Sequence, residues 1–228
     1  MILKEKLSFV KTKIKQAQKR SNFNNKVEIV GVTKTQPFNT IVESYKLGIR
    51  SVGENRVQEA EGKFKSFKKM PGLKKRFIGH LQSNKTKKCV LLFDTIDTVH
   101  SLRLLKKLST EGQKINKTIT VLLEINTSGE EQKHGFFLNQ KDEVIQCFEE
   151  RNIKIEGLMT MAPYTKDSGL IRSCFSQLRE LKNELNRLIS GEKMKELSMG
   201  MSGDYEIAIE EGATLIRLGT VLFGNRGG

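Results

Sequence analysis

A primary amine at the end of a buried strand, two hydroxyls beside glycines, and an arginine inside a strand are the residues whose types and spacing could do chemistry in this 228-residue chain. The amine is Lys34, in VEIVGVTKTQPF (residues 27–38). The apolar run 27–32 reads as a buried strand and Pro37 cannot continue a ladder, so Lys34 falls at the strand's C-terminal lip. A lysine so placed can attack a carbonyl and form a Schiff base when a positive, partly desolvated pocket lowers its pKa and frees the amine. In a chain with 40 Lys and Arg residues, a solvated surface lysine is the ordinary reading, and it stands unless other groups converge on Lys34. Those groups lie near the C-terminus. Ser202 and Gly203 in LSMGMSGDYE, and Gly219 and Thr220 in LIRLGTV, combine hydroxyl donors with glycines that let backbone amides approach a phosphate closely. Turn and N-cap chemistry accounts for Ser202, Gly203 and Asp204 equally well. Arg217 precedes Gly219 by two residues, so in a strand both face the same side.

The elements that must position these residues alternate regularly. After a first helix over residues 2–20, apolar strand-like runs occur at 27–33, 51–53, 76–79, 92–96, 120–126, 155–161, 196–200 and 214–219. Between them lie segments whose apolar positions recur at three and four, such as TIVESYKLG, VHSLRLLKKLSTEG and GLIRSCFSQLRELKNELNRLI. Strict alternation implies a parallel sheet, and eight strands is the count that closes a (β/α)8 TIM barrel. A doubly wound open sheet is the alternative. No G-x-G-x-x-G follows the first strand, however, and polar residues gather at the ends of many strands rather than at one switch point. In a barrel those ends share one mouth, where the loops after the last two strands commonly bind phosphate. With no linker-like stretch, residues 1–228 are expected to form a single domain.

Composition narrows the function. The charged N-terminal segment has no continuous apolar core, so neither a signal peptide nor a membrane span is expected. Cys89, Cys147 and Cys174 are scattered and form no C-x-x-C pair, which fits reduced thiols packed in helices and a cytoplasmic location. His80, His100 and His134 lie far apart in sequence without metal-ligand spacing, so no metal is expected. The net charge of +14 raises nucleic acid as a partner. The lysines are nevertheless spread along helix-like segments such as KFKSFKKMPGLKKR, without stacking aromatics, and read as solvated helix faces.

A Schiff-base lysine across one mouth from a phosphate cradle is the arrangement pyridoxal 5'-phosphate (PLP) requires. Arg217 would then face the pyridine nitrogen and keep it unprotonated, leaving the ring a weak electron sink. The blocks VGVTKTQP, VGENRVQEA, FIGHLQSNK, LEINTSGEEQKHGF, GLMTMAP and LSMGMSGDYEIAIEEGATLIRLGTVLFGNR resemble, in order, those of the YggS/PROSC family of pyridoxal phosphate homeostasis proteins. The resemblance implies a barrel like the N-terminal domain of alanine racemase (fold type III), with PLP on Lys34 and the phosphate held by Ser202, Gly219 and Thr220. It also implies Arg217 at the ring nitrogen, Asn55 among the cofactor-binding residues, and Lys133 as a secondary cofactor or transfer site. Two departures stand out. Lys75-Arg76 replaces a frequent Trp-His pair, where only surface packing is expected to change. Gln36 stands where a second lysine often occurs, which leaves any role of that lysine open.

Two functions compete. One is a monomeric, non-catalytic carrier that holds PLP and hands it to PLP-dependent apo-enzymes, with no nucleic-acid or membrane partner. The other is an amino-acid racemase-like PLP enzyme. Two-base racemisation needs a group on each face of the substrate, which the alanine racemase relatives draw from an additional β-domain; this chain stops soon after the eighth strand, and only Tyr164 is expected near the mouth. No catalytic residue is therefore expected.

Overall fold

The structure, a computed structural model, describes residues 2–65, 70–191 and 193–224. Part of the basic stretch KFKSFKKMPGLKKR (66–69) and the end of the last signature block (225–228) lie outside the described residues. The strands are β1 (Glu28–Val32), β2 (Ser51–Glu54), β3 (Lys74–Phe77), β4 (Thr95–Val99), β5 (Ile119–Asn126), β6 (Phe136–Phe137), β7 (Ile153–Met159), β8 (Glu196–Ser198) and β9 (Leu215–Leu218). Neighbours run β4-β3-β2-β1-β9-β8-β7-β5, all parallel, and β4 pairs with β5. That last pairing closes an eight-stranded barrel, as the alternation of elements predicts; the short β6 adds to β5 from outside the ring.

Helices cover the outside: α1 (Leu3–Arg20), α2 (Phe38–Lys46), α3 (Val57–Phe64), α4 (Thr86–Leu92), α5 (Leu102–Lys114), α6 (Lys141–Gln146), α7 (Ser168–Leu188), α8 (Tyr205–Glu210) and α9 (Thr220–Phe223). α1 buries Leu7, Val10, Ile14 and Ala17, one face at helical spacing, and packs on α8 and α9. Its Arg20 holds Glu210 at 2.7 Å and Glu206 at 3.1 Å. α5 and α7 start on side-chain caps: Ser101 Oγ accepts from the Leu104 amide, and Asp167 accepts from Gly169 and Leu170. The predicted strand at 92–96 is displaced. α4 continues through Leu92, and β4 begins only at Thr95, because the apolar Leu92-Phe93 pair packs as a helix end rather than as a ladder.

A large apolar cluster fills the space between helices and sheet, while Val30, Leu122, Met159 and Leu215 form a separate small cluster of strand residues inside the ring. Polar side chains share the lumen with it. Arg76 is 1% exposed, and its Nη1 lies 3.0 Å from both carboxylate oxygens of Asp97 on the neighbouring β4. The expectation that Lys75-Arg76 alters only surface packing is therefore wrong for Arg76. Alternation along β3 sends Arg76 inward and Phe77 outward, where it meets Phe93 edge-on at 5.3 Å. On β7 a bulge inserts Glu156 between the residues facing Val121 and Leu122. Gly157 is required there: a Cβ would lie 2.0 Å from the Glu196 carbonyl oxygen.

Removing one partner of the Arg76–Asp97 pair leaves a buried charge without its counter-ion, at a cost of about 3–5 kcal/mol. Asp97→Ala should shift the urea midpoint accordingly, and the double variant Arg76→Met/Asp97→Leu should recover part of the loss.

Candidate functional site

β1 ends in a turn held from beneath. Thr33 Oγ1 donates to Glu54 Oε1 at 2.7 Å, and Lys63 Nζ donates to the Thr33 carbonyl (2.8 Å), to both Glu54 oxygens (3.0 and 3.1 Å) and to Glu59 (2.7 Å). Glu59 also accepts from the Thr35 amide at 2.6 Å, which fixes Thr35 at φ 63°, a left-handed conformation rare for a β-branched residue. Lys34 sits between these anchors, half-buried at the C-terminal lip. Burial pushes the Glu54 carboxyl up from its ordinary value, against Thr33 and Lys63, which draw it down.

Across the mouth, β8 runs into the Met201–Asp204 turn and β9 into α9. Asp204 Oδ1 accepts from the Met201 amide at 2.5 Å, and the Val221 amide donates to Ser202 Oγ at 3.3 Å, tying the two loops together. α8 begins at Tyr205, so Ser202 and Gly203 belong to the turn before the helix rather than opening it. Neither Gly203 nor Gly219 is demanded by packing. A Cβ on Gly203 would meet nothing within 4 Å, and one on Gly219 only Val32 at 3.5 Å, with neither φ in the left-handed region. Room kept clear in this way suits a ligand that needs close access to backbone.

Between the two rims lies a cavity of about 550 Å³, within the range of small-molecule sites. Lys34, Ser202, Arg217, Gly219 and Thr220, all expected site residues, line it together, as does Gln36. Asn55 and Lys133 are not among its lining residues. Lys133 pairs with Glu130, and its Nζ donates at 3.3 Å to the carbonyl of Ala162, which does line the cavity. The loop after β7 adds lining that includes Met161 and the fully exposed Tyr164, the tyrosine expected near the mouth.

Arg217 is 5% exposed and donates to Ser198 Oγ and to the Thr160 carbonyl, each at 2.8 Å. Burial lowers its pKa, and Asp97, Asp204 and Glu124 oppose that through space. Glu124, on β5, is pushed up to about 7 by burial, with Arg217 pulling the other way. Sequence reasoning missed this carboxyl. The available signal was a lone acidic residue inside the apolar strand TVLLEIN, a position that must face the lumen if its neighbours face the helices. Among the described residues, no group of three or more His, Cys, Asp or Glu side chains could hold a metal ion.

The chain matches the family model "Alanine racemase, N-terminal domain" over residues 6–227. It is 40% identical to the pyridoxal phosphate homeostasis protein of Aquifex aeolicus over 227 residues, 97% of each chain. PipY of Synechococcus elongatus, solved with PLP bound, is 32% identical and superposes with a TM-score of 0.85, covering 97% of this chain and all of that one. An alanine racemase from Clostridium difficile shares the fold with a TM-score of 0.75 at 18% identity, covering 97% of this chain and 57% of that enzyme.

The raised Glu124 pKa has a definite sign. A carboxyl raised in the folded state stabilises it fully below the ordinary value of 4.5, and that contribution is lost as pH rises through about 7. Glu124→Gln should flatten this part of the stability profile, measured as urea midpoint between about pH 4.5 and about pH 8.

Proposed function

The chain belongs to the alanine racemase N-terminal-domain family and, within it, to the pyridoxal phosphate homeostasis proteins, and from that premise we propose that it holds PLP at the barrel mouth and releases it to other proteins. The observation that carries the reading is one cavity lined at once by Lys34, by Ser202, Gly219 and Thr220, and by Arg217. PLP supplies an aldehyde for an amine and an anionic phosphate for a cradle of donors. Lys34 takes the aldehyde as a Schiff base, and the strained turn at Thr35 fixes where its amine can reach. Ser202 and Thr220 donate hydroxyls to the phosphate, while Gly219 lets backbone approach it. Arg217 is held by neutral acceptors and stays cationic, so it donates to the ring nitrogen and leaves no proton there.

In this reading residues 1–228 act as one cofactor-binding domain, a cytoplasmic monomer whose partners are PLP and PLP-dependent apo-enzymes. Cytoplasmic residence is supported by three buried free cysteines, in keeping with a reducing compartment. No helix among the described residues is long and apolar enough to cross a membrane. Asn55 and Lys133 act from beyond the cavity wall, Asn55 through the loop after β2 and Lys133 through its contact with Ala162. The protein has no substantial catalysis of its own. That view is supported by relatives named for homeostasis rather than for a reaction, and by an arginine where a strong electron sink would need a carboxylate to accept from a protonated ring nitrogen.

Anchoring and covalent capture separate experimentally. Ser202→Ala/Thr220→Ala removes two hydroxyl donors to a charged group, each worth roughly 1.5–3 kcal/mol. PLP affinity should fall by that amount, while pyridoxal, which lacks the phosphate, should bind variant and parent alike in an absorbance titration.

Borohydride reduction of the PLP-loaded protein should fix the cofactor to the peptide containing Lys34, and Lys34→Ala should lose the visible absorption band. The same loaded protein should exchange the α-hydrogen of alanine in deuterated water within about tenfold of free PLP, a margin of roughly 1.4 kcal/mol in barrier. An adduct on another lysine would overturn the Lys34 assignment. Lys34-dependent turnover on the order of one per second or faster would restore the racemase-like enzyme.

A further inference from the structure

The chain has three histidines, and the fold stacks all of them. His80 follows β3, His100 follows β4 and His134 lies between β5 and β6, so three consecutive loops of the barrel mouth each contribute one ring. The centroids of His80 and His134 are 3.9 Å apart with the planes inclined by 23°, those of His80 and His100 are 4.7 Å apart at 25°, and those of His100 and His134 are 5.5 Å apart. None of the three lines the 550 Å³ cavity; they occupy the rim on the β3–β5 side.

The loops under the rings are tightly coupled. Thr98 Oγ1 donates to the Gly79 carbonyl at 2.6 Å, and His100 Nδ1 lies 3.3 Å from the Thr98 carbonyl. A Cβ on Gly79 would lie 2.1 Å from the Asn55 carbonyl oxygen, so the backbone at Gly79, the residue before His80, presses on the loop after β2. On the other side, Asn126 Nδ2 donates to the Glu130 carbonyl at 2.9 Å, and Lys133 reaches the Ala162 carbonyl on the cavity wall. Beyond β5 itself, the segment 127–135 is pinned at its start, where Thr127 Oγ1 lies 2.9 Å from Thr160 Oγ1 and the Thr127 carbonyl accepts from the Cys174 thiol, and is attached further along through the His134 ring stack and through Lys133 at the cavity wall.

Stacked imidazoles attract as neutral rings and repel as cations, and at these separations two adjacent rings cannot both carry a proton without strong repulsion. We propose that the three histidines form a proton-sensitive clasp, which holds the loop 127–135 against the loops after β3 and β4 while its rings are neutral and releases that loop under mild acid. The charged groups around the clasp point the same way. Burial lowers the His80 pKa, and His134 adds to the effect. Burial also lowers that of His100, with His80, His134 and the Arg103 guanidinium of α5 adding to the effect and the Thr98 carbonyl opposing it. The loop's own Glu130 and Lys133 pair with each other. For a base depressed in the folded state, the stabilising contribution is fully present above the ordinary value of 6.5 and is lost as pH falls from there through the folded value. The clasp thus opens on the acid side of neutrality.

Two readouts on the protein without added PLP test this independently of the cofactor reading. In histidine proton NMR the His80 and His100 rings should titrate as a coupled pair, broader than single-site curves, and His134→Phe should move the His80 midpoint upward. In hydrogen exchange, corrected for intrinsic rates, the amides of 127–135 should lose protection by roughly tenfold or more between about pH 7.5 and about pH 5.5. His134→Phe keeps an aromatic ring without a titrating proton, and His80→Phe does the same at a second exposed position; each should blunt that acid loss. Independent single-site titrations of His80 and His100, loop protection indifferent to acid in the parent, or equal acid loss in the parent and both variants would each overturn the clasp.

Discussion

Pairing of β4 with β5 is the constraint on which the rest of the structure depends, because it turns a twisted parallel sheet into a ring with no free edge. Once closed, the ring divides every strand's side chains between a helix-covered outside and a narrow lumen, and any polar group sent inward must find its partner there. Arg76 finds Asp97, one strand away; Arg217 finds Ser198 and the Thr160 carbonyl. Among the apolar residues inside the ring, Val30, Leu122, Met159 and Leu215 gather into one small cluster, with Val32 and Ile78 nearer the mouth. Within the ring β1 pairs directly with β9, and this is what carries Lys34 at one end of the chain to Ser202, Gly219 and Thr220 near the other.

Convergence alone would leave the amine loose. Lysine carries a long flexible stem, and its reach is useful only if the backbone beneath it is fixed. Lys63 does this by binding the Thr33 carbonyl and two carboxylates at once, while Glu59 takes the Thr35 amide. The left-handed conformation of Thr35 costs roughly 1–2 kcal/mol, so it persists only because these bonds over-determine it. Strain beside the one lysine expected to be nucleophilic is thus part of how the site is positioned.

Much of this was legible in the sequence, for identifiable reasons. β/α alternation is a local pattern, and a strand whose apolar run ends at a lysine and then a proline shows its lip without any tertiary information, so the barrel, Lys34 and the terminal loops could be read directly. Strand residues such as Arg217 follow by parity. What could not be read depends on pairings between distant strands. Arg76 looked like a surface substitution because its partner Asp97 lies in a strand whose start was displaced by three residues from the expected one, 95 rather than 92. The Lys63 hub joins residues from three elements and has no spacing of its own. The histidines were judged by sequence separation, whereas closure of the ring makes successive loops neighbours.

The lumen charges also bear on what the mouth can bind. Arg217's direct acceptors are neutral, so its charge is balanced only through space, by Asp97, Asp204 and Glu124. Asp97 is already engaged by Arg76, burial raises the Asp204 carboxyl, and it raises Glu124 to about 7, so near neutrality the Glu124 charge is incomplete. The guanidinium at the cavity floor is therefore balanced only in part and only through space. A cation held in this way favours an anionic ligand and disfavours a second proton on any basic group resting against it. In the proposed reading, the field that would draw a phosphate toward the mouth would also keep a ring nitrogen facing Arg217 unprotonated, so capture and chemical quietness would arise from one electrostatic arrangement rather than from two.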